Sequence, residues 1–132
     1  MCEPVIRQIV TDRAPPAAGP YSQAIVAGDV VYTAGMIPVD PETGRIPEAI
    51  EDQAKQVLDN VCAVLEAAGT DGRHIVRTTI YLTDMGTFSA VNGVYAMYFS
   101  PPYPARSCIE VSNLPKCVRI MIDATAVIPG ER

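Results

Sequence analysis

The stretch Val118-Arg119-Ile120-Met121-Ile122-Asp123-Ala124-Thr125-Ala126-Val127-Ile128 constrains the fold more than any other part of the chain. Its apolar and mixed positions alternate strictly, which is the period of a β-strand, whose successive side chains point to opposite faces. Ile120, Ile122, Ala124, Ala126 and Ile128 form an apolar face suited to a core. Arg119, Met121, Asp123, Thr125 and Val127 form a second face, where apolar residues flank a carboxylate. A strand with one such apolar face belongs in a sheet covered by helices on that side. The other face has to meet solvent or a partner, and its mixed character suits an interface that also holds a site.

Two segments carry the helical period needed to cover that sheet. In residues 48–68, Ile50, Ala54, Val57, Val61, Val64, Leu65 and Ala68 recur at the three-and-four spacing of one buried face. Glu51, Asp52, Lys55, Asp59 and Glu66 fall mainly elsewhere, and Gly69 is placed to end the helix. The second helix is predicted over 87–99, with Phe88, Val91, Tyr95, Tyr98 and Phe99 on one side and Pro101-Pro102 as its stop. Strands are predicted at 5–10, 22–27, 30–34, 75–83 and 105–111, besides 118–128. Gly28-Asp29 between the second and third reads as a tight hairpin turn. The order is β-β-β-α-β-α-β-β. It predicts one α+β domain over residues 1–132, a single mixed β-sheet with two helices packed on one face.

Composition removes several classes of function. The 132 residues are 48% hydrophobic and 19% charged, which is globular rather than disordered. A net charge of −5 with no Lys/Arg run works against binding nucleic acid through its phosphates. The start, Met1-Cys2-Glu3-Pro4, has no basic segment followed by an apolar run, and no stretch approaches membrane-spanning length. The expected location is the cytosol, with no membrane partner. Cys2, Cys62, Cys108 and Cys117 form no CxxC pair and His74 is the single histidine, so neither a metal site nor a disulfide framework is expected.

Five residues stand out as candidates for chemistry. Arg106 sits among apolar neighbours in Tyr103-Pro104-Ala105-Arg106-Ser107-Cys108 and calls for an anionic partner. That partner is either an internal carboxylate or a bound one, gripped by the planar guanidinium fork. Cys108 shares a strand face with Arg106 and reads either as a nucleophile or as a small buried thiol; no sequence feature marks a histidine base for it. Asp123 lies on the mixed face of the last strand. If the last two strands pair, as neighbours in sequence often do, Asp123 approaches Arg106, as a structural ion pair or as a general acid/base. Tyr21 can display its hydroxyl at a strand start or simply pack. Asn92, a poor helix former placed mid-helix, either bridges to a loop or is neutral surface.

These pieces, in this order, resemble the RidA (YjgF) family. The matching stretches are 18–24 (AGPYSQA), 32–38 (YTAGMIP), 65–69 (LEAAG), 76–79 (VRTT), 104–108 (PARSC) and 114–116 (LPK). Gln53-Ala54 through Asp59-Asn60, Val91-Asn92 with Tyr95 and Phe99, and Asp123-Ala124 with Ala126-Val127 match as well. The resemblance implies a chorismate-mutase-like subunit, a homotrimer with sites between subunits, and hydrolysis of 2-imino or 2-enamino acids to 2-keto acids and ammonia without metal or organic cofactor. It implies that Arg106 holds the substrate carboxylate and that Tyr21, Asn92 and Cys108 line the pocket. Backbone groups near Gly35 and Cys108 would add hydrogen bonds, and Asp123 would position water. Ala34, Met36 and Asp123 stand where deaminase members carry serine, glutamine and glutamate, which implies weaker or differently selective catalysis. The competing readings are a non-catalytic module that captures small carboxylates at Arg106, and a ribonuclease or translation inhibitor. The acidic charge and the lack of an acid/base pair for phosphodiester cleavage count against the latter.

Overall fold

A computed structural model describes residues 6–130. Six strands form one sheet: β1 (Ile6–Ile9), β2 (Ala24–Ala27), β3 (Val30–Thr33), β4 (Ile75–Leu82), β5 (Ala105–Glu110) and β6 (Ile120–Val127). Two helices, α1 (Ile50–Ala67) and α2 (Phe88–Tyr98), complete the expected order. Across the sheet the strands run β1-β2-β3-β6-β4-β5. The β4–β5 pair is parallel and the others are antiparallel, so the sheet is mixed.

The alternation of the last strand translates directly into burial. Ile120, Ile122, Ala124 and Ala126 are buried, whereas Met121, Asp123 and Thr125 are half-buried on the side away from the helices. Facing the buried set, α1 contributes Val57, Leu58, Val61, Val64 and Leu65. Its C-terminus closes at Gly69, whose φ of +94° suits the left-handed cap, while Thr70 N–H reaches back to Leu65 O at 3.0 Å. The β2–β3 hairpin turns at Gly28, φ +62°, as expected for a tight turn.

Two polar residues lie inside the apolar stripe of α1 and explain how it holds the segment after β3. Gln53 donates from Nε2 to Pro47 O at 2.8 Å and accepts Arg119 N–H at Oε1, also at 2.8 Å. Asn60 donates from Nδ2 to Ile37 O and to Val39 O, both at 2.9 Å. Both side chains are buried, where an unpaired amide would be costly, so these bonds fix the loop against the helix at Ile37, Val39 and Pro47.

The pairing expected between the last two strands does not occur. β4 stands between them, parallel to β5 and antiparallel to β6. The α2 crossover carries the chain from β4 to a parallel neighbour on the outer side. β6 then returns to the inner side, between β3 and β4, where both of its edges find partners.

Candidate functional site

β5 is an edge strand, and its residues alternate between the helix side and the open side of the sheet. Arg106 pairs with Thr78 and Cys108 with Ile80; both of these partners are buried on the helix side. Arg106 and Cys108 therefore point toward α2. There the Arg106 guanidinium lies 4.8 Å from the centre of the Tyr95 ring and 5.4 Å from that of Phe88. Its Nη1 donates to Asn92 Oδ1 at 2.8 Å. Tyr95 is held in turn by a 2.8 Å hydrogen bond between its hydroxyl and Thr78 Oγ1 and by contact with the Phe99 ring, with centroids 4.4 Å apart. Asn92 thus bridges not to a loop, as its awkward position mid-helix suggested, but to Arg106 on strand β5.

The internal ion pair considered for Arg106 is not formed: among the described residues no carboxylate lies within salt-bridge distance of it. An arginine stacked on two rings, oriented by a neutral amide and lacking an anion is prepared for one to arrive. It opens on a cleft of about 610 Å³ lined by Met85, Gly86, Phe88, Ser89, Arg106 and Cys108. Burial pushes the Cys108 thiol above its ordinary pKa, and the nearby Arg106 charge opposes this. A thiol shifted that way is a poor nucleophile, which favours the reading of Cys108 as a small half-buried side chain.

Asp123 does not join this group. It pairs across β6–β4 with Thr79, whose other neighbour is Ser107, so it lies on the open face, opposite the side toward which Arg106 points. The approach of Asp123 to Arg106 expected from strand pairing is therefore corrected: within one chain β4 separates the two strands, and the parity of the strands sends the two side chains to opposite faces. Tyr81 donates its hydroxyl to Asp123 Oδ2 at 2.9 Å. Burial and this carboxylate both raise the Tyr81 pKa. On the same open face it is Met121, not Asp123, that lies against Gly35: a Cβ built on Gly35 would come within 2.7 Å of Met121 Sδ.

Tyr21 and Gly35 belong to a second cavity, of about 180 Å³, whose wall also includes Gln23, Ile37, Pro115 and Lys116. Tyr21 is half exposed, and its hydroxyl accepts Ala18 N–H at 3.1 Å. Gly35 N–H donates to no acceptor among the described residues. Ala34 packs against the core and donates its N–H to Gln23 O at 2.9 Å. β3, which leads into Gly35, is three strand spacings from β5, a separation of roughly 14 Å. The candidate residues thus form two groups: Arg106, Asn92 and Cys108 at one edge, Tyr21, Ala34 and Gly35 toward the other. Sequence reading did not single out the Phe88 and Tyr95 shelf; their apolar helical spacing marked them only as packing. No group of three or more His, Cys, Asp or Glu side chains able to hold a metal occurs among the described residues, and no helix is long and apolar enough to cross a membrane.

This α+β sheet has at one edge an arginine that meets no carboxylate among the described residues, and a separate cavity beside Gly35. The family model described as Endoribonuclease L-PSP matches residues 11–128. The chain belongs to that family, the RidA/YjgF proteins. A RutC family protein of Pyrococcus horikoshii is 51% identical over 119 residues, covering 89% of this chain and 94% of its own length. A 2-iminobutanoate/2-iminopropanoate deaminase of Escherichia coli (strain K12) is 46% identical over 124 residues, covering 92% of this chain and 97% of its own. The crystal structure of E. coli TdcF with bound serine has a TM-score of 0.88 at 44% identity and covers 92% of this chain and 98% of that one.

Proposed function

We propose that this protein hydrolyses small 2-imino acids, such as 2-iminopropanoate and 2-iminobutanoate, to 2-keto acids and ammonia, without metal or organic cofactor. The observation that carries this reading is the half-buried Arg106 guanidinium, stacked on Tyr95 and Phe88, tied to Asn92, and without a carboxylate partner among the described residues. Its fork would hold the substrate carboxylate and fix C2 beside Cys108. Water adds to C2 of the protonated imine, a proton passes from oxygen to nitrogen, and the C–N bond breaks to release ammonia. A protonated imine is electrophilic enough to be attacked by neutral water, so what the protein has to supply is position and a settled charge. The imine deaminase relative from E. coli supports this chemistry, and serine in the TdcF structure supports a ligand with an α-carboxylate.

Because the Arg106 cleft and the Tyr21–Gly35 cavity lie apart in one chain, we place the complete site between subunits of a homotrimer. In that arrangement the cavity of one copy faces the Arg106 edge of the next. The open sheet face, with half-exposed Tyr32, Ile109 and Val127, supplies the contact area. Light scattering should report about three times the 14.1 kDa chain mass. A monodisperse monomer releasing ammonia at full rate would overturn the assembly. Activity is tested by ammonia and keto-acid release from enzymatically generated 2-iminopropanoate. Binding of 2-oxobutanoate without turnover would leave a carboxylate-binding module instead.

Asp123 enters this reading as the acceptor for Tyr81. Asparagine keeps an oxygen for that bond, so Asp123→Asn should hold turnover within about threefold and stability within about 1 kcal/mol, by thermal melt and ammonia assay. A hundredfold loss of turnover with an intact melt would restore the water-positioning role expected from the sequence.

A further inference from the structure

The strand face that carries Arg106 and Cys108 ends on a third polar side chain. Glu110 pairs with Leu82, which is fully buried on the helix side, so Arg106, Cys108 and Glu110 form one row pointing toward α2. Glu110 Oε1 accepts Met85 N–H at 2.7 Å. Met85 opens the short turn Met85–Thr87 that leads into α2, and Met85, Gly86, Phe88 and Ser89 form the wall of the cleft opposite Arg106 and Cys108. Among the described residues, two hydrogen bonds tie β5 to that wall and its helix: Arg106 Nη1 donates to Asn92 Oδ1 at 2.8 Å, and Met85 N–H donates to Glu110. Along both elements the residues that line the cleft fall between these two ties.

The rest of the turn is held by its own residues. Asp84 Oδ1 accepts Gly86 N–H at 2.8 Å, and Asp84 O accepts the Thr87 N–H at 3.0 Å and the Thr87 hydroxyl at 2.7 Å. These bonds set the shape of the turn but not its distance from β5. A carboxylate arriving at Arg106 competes with Asn92 for the same guanidinium, whereas nothing bound at the clamp contests the bond at Glu110. That bond joins a carboxylate to a backbone N–H, a charge-assisted pairing stronger than a neutral one. Reach rules out a direct part in the chemistry. Arg106 and Glu110 are four residues apart on an extended strand, roughly 13 Å, so a substrate whose carboxylate sits on Arg106 has its C2 beside Cys108 and well short of Glu110.

We propose that Glu110 is a positioning residue for this site: by holding Met85 it sets the width of the Arg106 cleft, and so which substrate side chains the cleft admits. The proposal rests on the reading of that cleft as the substrate site. Its readout is a ratio of affinities, for 2-oxobutanoate and the bulkier 4-methyl-2-oxopentanoate, measured by titration calorimetry on the full-length protein. Both ligands carry one carboxylate, so the loss of a charge at position 110 acts on both alike and cancels in the ratio. In Glu110→Ala the wall is released, and the ratio should move toward the larger acid by at least about fivefold. Glu110→Gln keeps an acceptor oxygen and should stay within about twofold of wild type. Glu110→Asp keeps the charge but ends about 1.5 Å short of Met85 N–H, and should behave as Glu110→Ala. Hydrogen exchange at Met85 N–H should rise in the alanine and aspartate variants and hold in the glutamine one. Because Glu110 is exposed, all three melts should lie within about 4 °C of wild type. If the alanine variant melts early, the contrast between aspartate and glutamine decides the point. A ratio within about twofold of wild type in both Glu110→Ala and Glu110→Asp overturns the proposal. So does a shift in Glu110→Ala that Glu110→Asp does not share, since charge and not position would then govern. Failure of the deaminase reading looks different: no ammonia is released from 2-iminopropanoate, yet the 2-keto acid ratio still follows residue 110.

Discussion

Replacing Arg106 by alanine is expected to lower kcat/KM for 2-iminopropanoate by about 10²- to 10⁴-fold, which is roughly 3 to 5 kcal/mol of lost carboxylate recognition. The size follows from the setting. The guanidinium is half-buried and already oriented by Asn92 and two rings, so little order has to be created when the anion binds. Arg106→Lys keeps the charge but loses both the two-point fork and the stacking plane, and should recover no more than about tenfold of that loss. Stability should change little, because an arginine over aromatic faces contributes about 0.5 to 1 kcal/mol at each contact. The measurement is steady-state kinetics beside a thermal melt. A native melt with unchanged kcat/KM in Arg106→Ala would remove the clamp and with it the proposed reaction.

Ile122→Ala is expected to cost about 3 to 4 kcal/mol of stability, the range for truncating a large aliphatic side chain in a closed core. Ile122 is fully buried in the middle of β6 and pairs with Ile80, also fully buried. Its backbone exchanges two hydrogen bonds with Met36, at 2.8 and 3.1 Å, so it also anchors the segment that carries Gly35. For a domain of this length the loss should lower the melting temperature by about 8 to 16 °C, a large share of the margin a natural domain has. Val127→Ala, on the open face of the same strand where only a subunit contact would cover it, should cost no more than about 1 kcal/mol. Equal effects at the two positions, compared at one protein concentration, would mean that the alternation of this strand does not set its burial.

Several parts of this architecture were legible residue by residue. The stripe from Ile50 to Leu65 has one period and one buried consequence, so α1 was evident, as was its end at Gly69. Gly28-Asp29 announced its hairpin through the backbone freedom a tight turn needs. The candidate site was legible only in fragments. Arg106, Asn92 and Cys108 could be chosen individually, and the first two do meet, but neither the rings that hold the guanidinium nor its lack of a carboxylate among the described residues could be read from local pattern. Gln53 and Asn60 did leave a signal, as amides inside an apolar stripe, but the carbonyls they bind lie 6 to 23 residues away in sequence.

Local periodicity is a property of neighbouring residues, which is why the sequence alone determined the kind and order of the elements and the buried faces of α1, α2 and β6. Strand order is not local. Placing β4 between β5 and β6 depends on the parallel crossover through α2 and on the gain from giving β6 two partners, and both are decided by the whole sheet. That one choice sent Asp123 to the open face with Tyr81, left Met121 beside Gly35, and kept Arg106 at an outer edge, beyond salt-bridge distance of every described carboxylate. Residue identity supplied the charges and donors; only the tertiary fold decided which of them are satisfied within the chain and which remain available to a ligand.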